Sequence, residues 1–233
     1  PLDKPRVEKT KYSDWNSDAI MTYLYVWQTS GDKKYKDMAT NTLDFFRDNM
    51  VTEQGAYHYF KEDSSKGVRG NLLDNSYLLL AFVEGYTVLD EDSYLKTAKK
   101  LADYSLNNFY DWNSGGFFER NSLDVELYAP GENIDLSKPT QENGLMSLAL
   151  LKLYRQTGKL NYLNAGVKTL GFIQDEIPGL DRGYYGVVAA KFTIENNLLE
   201  EYNKAKALID KQDLEAQSDF WLNDLLSTNF SET

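Results

Sequence analysis

The chain of 233 residues contains no cysteine and one histidine, His58. The lack of thiols excludes cysteine nucleophiles, iron–sulfur clusters, thiolate zinc sites and disulfide frameworks. One imidazole is too few for a two-histidine acid/base pair or a multi-histidine metal centre, so we expect no metal and no cofactor. Any chemistry is then expected to rest on carboxylates, amides and aromatic rings.

Positive charge is also scarce, with 25 Lys and Arg against 36 Asp and Glu and a net charge of −11. Binding of nucleic acid needs clustered cations that release counterions from phosphates, so we expect no nucleic-acid partner. No run approaches the roughly 18 apolar residues of a membrane helix, which predicts a soluble protein without a membrane partner. Residues 1–5 lack an initiator Met and the layout of a signal peptide, so we expect a cytoplasmic protein and a longer parent chain.

What the chain does contain is an internal repeat. Tyr35, Tyr94 and Tyr162 each follow a short turn of charged or small residues, and an asparagine lies nineteen positions before each of them. A small residue follows each tyrosine by four positions, and a glycine that opens an aromatic stretch comes later. These landmarks are Asn16, Asn75 and Asn143, then Ala39, Ala98 and Gly166, and then Gly55, Gly115 and Gly183.

Each unit predicts an inner helix, a turn, an outer helix and a short aromatic strand. The inner segments are apolar nearly all round, which predicts helices buried on every side. The outer segments carry an apolar stripe with polar residues between, which predicts one solvent-facing side. The inner segments are 19–27, 77–83 and 145–151, the outer segments are 35–50, 93–109 and 161–173, and the aromatic stretches are 55–60, 115–119 and 183–186.

This alternation predicts an all-α fold, an α/α toroid of about three helical hairpins plus C-terminal helices, with short aromatic β-strands after the hairpins. Residues 1–13 are expected to form an N-terminal extension or linker, and residues 14–211 the toroid. Residues 212–233 are expected to form a C-terminal tail that either docks as a final amphipathic helix or stays loose.

Two acids mark a candidate catalytic site. Asp74 and Glu142 precede neighbouring inner helices, whose axes would lie about 8–10 Å apart. Inverting glycosidases hold two carboxyls about 6.5–9.5 Å apart, so Asp74 and Glu142 are the predicted catalytic pair. The alternative is helix capping, worth about 1 kcal/mol for each cap. A helix N-terminus favours the ionised form, so either acid would serve as a base, and Glu119 or Asp135 is a candidate proton donor.

Aromatic and amide side chains at equivalent places in the repeat suit a sugar-binding cleft, because sugars present apolar C–H faces and hydroxyl edges. The alternative is that these rings only complete the core. His58 alternates with tyrosines on a short strand and is expected to be structural. The predicted substrate-binding residues are Trp15, Asn16, Asn75, Asn143, Tyr57, Phe117 and Tyr184.

Five short segments also occur in an order and spacing that resemble one family. They are 4–6 (Lys-Pro-Arg), 14–16 (Asp-Trp-Asn), 73–77 (Leu-Asp-Asn-Ser-Tyr), 115–118 (Gly-Gly-Phe-Phe) and 139–143 (Pro-Thr-Gln-Glu-Asn). Together they resemble the C-terminal half of the α/α toroid in YyaL-type proteins, thioredoxin-domain-containing proteins related to the spermatogenesis-associated family. The resemblance implies a toroid of the six-hairpin glycosidase and N-acylglucosamine epimerase kind, in a family without an established activity.

The chain departs from that family in several respects. Asn75 stands where the family tends to carry a second acid, and the spacing from Pro139 to Asn143 is one residue longer than usual. The family's thioredoxin-like domain and first toroid hairpins have no counterpart here. The paired histidines of epimerases with this fold also have no counterpart, so the resemblance to those enzymes is one of shape.

Two hypotheses follow from the residues and the resemblance. The first is a carbohydrate-related toroid that binds a sugar, with glycosidase-like or epimerase-like activity. The second is a non-catalytic scaffold that docks a thioredoxin-like domain or another protein. Three hairpins cannot close a six-hairpin ring, so we expect an N-terminal half, a partner chain or a homodimer to complete the toroid.

Overall fold

The structure is a computed structural model that describes residues 7–120, 137–176 and 183–207. Within these ranges the chain forms eight helices and four short strands. The helices are α1 (Ser13–Ser30), α2 (Lys33–Asn49), α3 (Leu72–Leu89), α4 (Asp92–Asn108), α5 (Thr140–Thr157), α6 (Leu160–Glu176), α7 (Gly183–Glu195) and α8 (198–207). The strands are β1 (Lys11–Tyr12), β2 (Val51–Thr52), β3 (Gly55–Phe60) and β4 (Lys66–Arg69).

The helices form consecutive hairpins arranged in two layers. The inner helices α1, α3, α5 and α7 pack side by side in that order, while α2, α4 and α6 pack outside their own inner helices. Helix α8 follows α7 after a turn, and its Leu198 packs against Leu151 and Leu163. The predicted all-α toroid of hairpins is therefore confirmed, with α7 and α8 as a fourth pair.

The turns inside the hairpins follow from local sequence. Helices α1 and α5 end at Gly31 and Gly158, whose φ angles of 71° and 66° lie in the left-handed region that glycine adopts without steric cost. The outer helix α2 is capped by Asp32, whose side chain accepts a hydrogen bond from the Lys34 amide at 2.9 Å. Local capping signals therefore mark the turns of the first and third hairpins.

The repeated tyrosines connect successive outer helices. The Tyr94 hydroxyl on α4 donates a hydrogen bond to Asp44 on α2 at 3.0 Å, and the Tyr162 hydroxyl on α6 donates to Asp103 on α4 at 2.7 Å. Both tyrosines are buried. At Gly166 an added Cβ would lie 2.8 Å from Leu151 Cγ, so a small residue is needed where α5 and α6 meet.

The inner helices differ in burial according to their place in the arc. Helices α3 and α5 are buried along most of their length, as the sequence predicts. The same prediction is wrong for α1, where Ser13, Ser17, Ile20 and Leu24 are buried but Tyr25 is 67% exposed. Among the inner helices, α1 packs closely against α3 alone, and part of its surface, including Tyr25, faces solvent.

The three aromatic stretches have three different structures. The first is β3, which pairs antiparallel with β1, β2 and β4. The second forms an isolated bridge between Tyr110 and Phe117. The prediction of a strand at 183–186 is wrong, because these residues form the first turn of α7. A Cβ at Gly144 would lie 2.4 Å from the Gly186 amide nitrogen, so this glycine pair lets α5 and α7 approach closely.

Across the described ranges, no helix has the length and apolarity required to cross a membrane.

Candidate functional site

A buried carboxylate and the chain's one imidazole meet at the start of α3. Asp74 lies in the first turn of α3 and is 0% exposed. His58 projects from β3, and its Nδ1 lies 3.0 Å from Asp74 Oδ1 and 3.2 Å from Asp74 Oδ2. An ionised carboxylate only accepts hydrogen bonds, so this contact assigns the ring proton to Nδ1. The second ring nitrogen, Nε2, is then available for another proton transfer.

Two asparagines hold β3 against the helix that carries Asp74. Asn71 caps α3, because its side chain accepts a hydrogen bond from the Asp74 amide at 2.8 Å. Asn75 Oδ1 accepts from the Ala56 amide of β3 at 3.2 Å, and Asn75 Nδ2 donates to the Asn71 carbonyl at 2.6 Å. These bonds fix the strand that carries His58 on the helix that carries Asp74.

The pKa values of His58 and Asp74 are shifted by their burial and by the hydrogen bond between them. The hydrogen bond to Asp74 raises the pKa of His58, the negative charges of Asp74 and Asp14 add to this effect, and partial burial opposes it. Burial raises the pKa of the Asp74 carboxyl, and the hydrogen bond from His58 opposes that rise. The pair is therefore built to keep a proton on the imidazole to higher pH than an isolated histidine would.

Asp14, on α1, is the nearest additional acid. One oxygen or nitrogen atom from each of Asp14, His58 and Asp74 lies within 4.8 Å of the others. An imidazole with two carboxylates is a donor set that divalent transition metals accept. The hydrogen bond between His58 and Asp74 already accounts for their short distance, so the geometry does not require an ion.

An exposed indole borders the pair. Trp15 is 70% exposed, and its ring centroid lies 5.0 Å from that of Tyr12. The Tyr12 ring in turn lies 5.4 Å from the His58 ring in an edge-on arrangement. The flat apolar surface of the Trp15 indole therefore lies near the His58 imidazole, with the Tyr12 ring between them.

Helix α7, at the opposite end of the row of inner helices from α1, reaches the same end of the inner layer as His58 and Asp74. The Tyr185 hydroxyl on α7 donates to Asp18 on α1 at 3.4 Å, and the Tyr185 ring packs edge-on against Tyr77 of α3 at 6.0 Å. Partial burial raises the pKa of Asp18, while the Tyr185 hydroxyl opposes the rise. Because Asp18 lies one turn after Asp14 on α1, these contacts place α1, α3 and α7 around one polar end of the inner layer.

The predicted amide ligands are occupied by backbone groups. Asn143 is buried, its Oδ1 accepts from the Phe117 amide at 2.6 Å, and its Nδ2 donates to the carbonyls of Phe117 and Pro139 at 2.9 and 2.8 Å. Asn75 Oδ1 makes the corresponding contact with the Ala56 amide of β3, and Asn16 Nδ2 donates to the Tyr12 carbonyl at 2.7 Å. Each repeated asparagine therefore holds a neighbouring backbone segment against its inner helix. These segments contain Tyr12, Ala56 and Phe117.

The structure also places the other predicted site residues that lie within the described ranges, and it records no direct contact between their side chains and the His58–Asp74 pair. Glu142, in the first turn of α5, lines a groove together with Asn71, Glu119 and Arg120. Phe117 is fully buried. The remaining three residues are Tyr57, whose ring faces Lys66 and Arg69, Tyr184, which is 73% exposed on α7, and Asp135, which lies outside the described residues.

No family model matches the chain. Among curated proteins it is 27% identical over 167 residues to the uncharacterized protein B0495.5 of Caenorhabditis elegans, covering 68% of this chain and 22% of that protein. It is 24% identical over 155 residues to the cellobiose 2-epimerase of Bacteroides fragilis, covering 64% of this chain and 38% of the epimerase.

Two solved structures show the fold. The GH76 α-mannanase of Bacteroides thetaiotaomicron superposes with a TM-score of 0.67 at 15% identity, covering 84% of this chain and 55% of the mannanase. The cellobiose 2-epimerase of Spirochaeta thermophila superposes with a TM-score of 0.63 at 18% identity, covering 74% of this chain and 45% of the epimerase. The chain thus has the α/α toroid fold seen in these two structures, and it spans about half their length or less.

Proposed function

We propose that this chain binds a sugar at the polar end of its inner helices and that His58 acts there as the acid/base group. The observation that carries the proposal is the hydrogen bond between His58 Nδ1 and the fully buried Asp74 carboxylate. A histidine oriented in this way by a carboxylate presents its other nitrogen with a defined protonation state.

The chemistry that suits one such group is a proton transfer between neighbouring carbons of an open-chain sugar. Neutral His58 takes a proton through Nε2 from the carbon beside a carbonyl and becomes an imidazolium that Asp74 stabilises. The same nitrogen returns the proton to the neighbouring carbon, while a hydroxyl proton moves to the former carbonyl oxygen. One base is sufficient for this transfer, so the absence of paired histidines does not prevent it.

Sugar binding is supported by the groups that surround His58. The exposed indole of Trp15 offers a flat surface for the apolar C–H face of a sugar ring. Asp14 and Asp18 supply acceptors for hydroxyl groups from α1, and the Tyr185 hydroxyl lies beside Asp18. Aromatic surface with a few convergent polar groups is typical of small-molecule sites.

The comparisons support a carbohydrate ligand through the proteins they name. The curated relative with an assigned activity is an epimerase of cellobiose, and the superposed structures are a mannanase and another cellobiose epimerase. The resemblance to the C-terminal half of the toroid of YyaL-type proteins is part of the same proposal. It rests on the five sequence segments given above.

A direct assay tests this function. The protein is incubated with aldoses, ketoses and disaccharides, and the products are separated by anion-exchange chromatography. We expect isomerised sugar from the wild type and none from His58→Gln or Asp74→Asn, while Asp37→Asn, an exposed acid on the outer helix α2, keeps full activity. Hydrolysed disaccharide that depends on Asp74 and Glu142 would instead favour the carboxylate pair predicted from the sequence.

Binding without turnover is measured separately by thermal shift. A ligand at 100 times its Kd adds about 2.7 kcal/mol to the free energy of unfolding. We expect stabilisation by at least one sugar in the wild type and its loss in Trp15→Ala, since the indole is the proposed stacking surface. If no sugar in the panel stabilises the protein and none is converted, the proposed function is wrong.

A further inference from the structure

A hydrogen-bonded network joins the four inner helices at the end where His58 lies. The Gln141 side chain of α5 is hydrogen-bonded to the Tyr77 hydroxyl of α3, which is hydrogen-bonded in turn to the Tyr185 hydroxyl of α7. The Tyr185 hydroxyl donates to Asp18 Oδ1 of α1 at 3.4 Å. Each inner helix therefore contributes one side chain to this network.

The packing of α7 on its neighbours fixes the position of Tyr185. A Cβ added to Gly144 of α5 would lie 2.9 Å from the Tyr185 carbonyl carbon, so the two backbones meet closely at this point. The Tyr185 ring also packs edge-on against the ring of Tyr77, which is buried. Asp18, by contrast, is exposed, so its carboxylate is open to a ligand.

Asp14 connects this network to the proposed acid/base pair. Asp14 and Asp18 lie one turn apart on α1, and the negative charge of Asp14 acts on Asp18. Asp14 also offers an oxygen within 4.8 Å of ligand atoms of His58 and Asp74. Asp14 is therefore a neighbour of both the His58–Asp74 pair and the Asp18–Tyr185 pair.

The sugar chemistry proposed for His58 includes a second proton movement. When the proton leaves the carbon beside the carbonyl, a hydroxyl proton must also pass to the former carbonyl oxygen. His58 cannot make this second transfer, because its Nε2 holds the carbon proton during that step. The oxygen-bound proton needs a group of its own in the same cleft.

We infer that Asp18 and Tyr185 together carry this proton between the two sugar oxygens, an inference that rests on the proposed function. The Asp18 carboxylate takes the proton as the sugar O–H bond breaks, and the Tyr185 hydroxyl gives its own proton to the former carbonyl oxygen. The proton on Asp18 then passes to the Tyr185 oxygen along the hydrogen bond between them. One O–H bond of the sugar breaks and one forms, and both residues return to their starting state.

Both residues begin this step in the protonation state that it requires. Burial raises the pKa of the Tyr185 hydroxyl, which therefore keeps its proton at neutral pH. Partial burial raises the pKa of Asp18, which makes its carboxylate a stronger base. Their separation of 3.4 Å exceeds the roughly 2.7–2.8 Å of a typical hydroxyl hydrogen bond. Catalytic hydrogen bonds are often this long before the substrate binds.

Deuterium exchange separates this step from the step assigned to His58. Isomerised sugar is measured in D₂O together with the deuterium that enters the remaining substrate at the carbon beside the carbonyl. Exchange needs only the carbon-proton transfer by His58, whereas product also needs the oxygen-proton transfer. We expect Asp18→Asn and Tyr185→Phe to lower product formation by about 100-fold and to raise the ratio of exchanged substrate to product.

Control variants keep the readout specific. Tyr25→Phe changes an exposed tyrosine further along α1, and Asp37→Asn changes an exposed acid on α2. Both should keep the product formation and the exchange ratio of the wild type. His58→Gln should lose exchange and product together. Circular dichroism of each variant verifies that the helices remain.

Two results in the Asp18 and Tyr185 variants would overturn the inference while leaving the role of His58 intact. One is an equal loss of exchange and product, because weaker binding or a disturbed fold lowers both together. The other is exchange and product at wild-type rates. A wild type that neither exchanges nor converts any sugar would contradict the proposed function, and this inference with it.

Discussion

His58 of β3 donates a hydrogen bond to Asp74 of α3 at 3.0 Å, although sixteen residues separate them along the chain. The carboxylate is fully buried, whereas the imidazole side chain is 30% exposed. One partner therefore lies in the protein interior and the other reaches solvent. This asymmetry leaves the His58 ring in contact with solvent, while Asp74 orients it from the interior, as the proposed role of His58 in proton transfer requires.

The contact predicts a raised pKa for His58. His58 is the only histidine, so with any affinity tag removed its imidazole Hε1 proton gives a single NMR signal without assignment. The titration should lie above the reference value of 6.5, because Asp74 and Asp14 favour the protonated ring. In Asp74→Asn this pKa should fall, because the hydrogen bond and the charge of Asp74 are lost, while partial burial still lowers the pKa and Asp14 alone still raises it. An unchanged midpoint in the variant would mean that Asp74 does not control His58.

The same shift predicts how stability depends on pH. A group whose pKa is raised in the folded state stabilises the fold fully below its unfolded pKa, here 6.5. That stabilisation is lost as the pH rises through the folded pKa. Urea unfolding of the wild type and His58→Gln should therefore differ most at acidic pH and converge above the folded pKa of His58. If the difference in unfolding free energy between the wild type and His58→Gln grows with pH, the pKa of His58 is not raised in the folded state.

Asn75 is expected to position His58 through β3. Asn75→Ala removes the side-chain acceptor of the Ala56 amide and should cost about 1–3 kcal/mol of unfolding free energy. It should also lower the NMR pKa of His58, because the strand is no longer held on α3. The matched control is Asn143→Ala, which loses equivalent bonds to Phe117 but lies on α5. Equal effects of both variants on the His58 pKa would leave Asn75 with a merely structural role.

The repeated tyrosines make a prediction about the outer layer. Tyr94→Phe removes the hydrogen bond to Asp44 and should lower the unfolding free energy by about 1 kcal/mol. Tyr35 occupies the same place in the first hairpin, but it is only half-buried, and none of the described residues accepts a hydrogen bond from its hydroxyl. Tyr35→Phe should therefore be near neutral in chemical denaturation. A similar loss in both variants would contradict this account, because among the described residues the Tyr94 hydroxyl has an acceptor and the Tyr35 hydroxyl has none.

Much of the fold follows from the repeat. Helices α2, α4 and α6 begin and end within three residues of the predicted outer segments, because their apolar stripe is a local signal. Exposure of α1 could not be predicted, since an apolar segment does not reveal whether a neighbour covers it. The strand predicted at 183–186 failed for a similar reason: Tyr184 and Tyr185 suit a helix equally well, and the close approach of Gly144 and Gly186 is tertiary.

The site was predictable in part. The repeat marks Asp74 as a candidate because it lies at the start of an inner helix, whereas the sequence predicts a structural role for His58. Their pairing depends on how β3 folds back onto α3, which no local pattern encodes. One signal was present: the aromatic stretch precedes the next inner helix in the chain, so its polar residue is a candidate neighbour of that helix's first turn. The predicted pairing of Asp74 with Glu142 stays a prediction.

The central claim is that a sugar binds beside His58, and the NMR signal of its imidazole tests this most directly. The account predicts that a sugar which stabilises the protein also shifts the His58 Hε1 resonance and its pKa, with saturation at the same Kd. In Trp15→Ala both effects should weaken together, while Asp37→Asn should behave as the wild type. A stabilising sugar that leaves the His58 signal unmoved would place the ligand elsewhere and contradict the account.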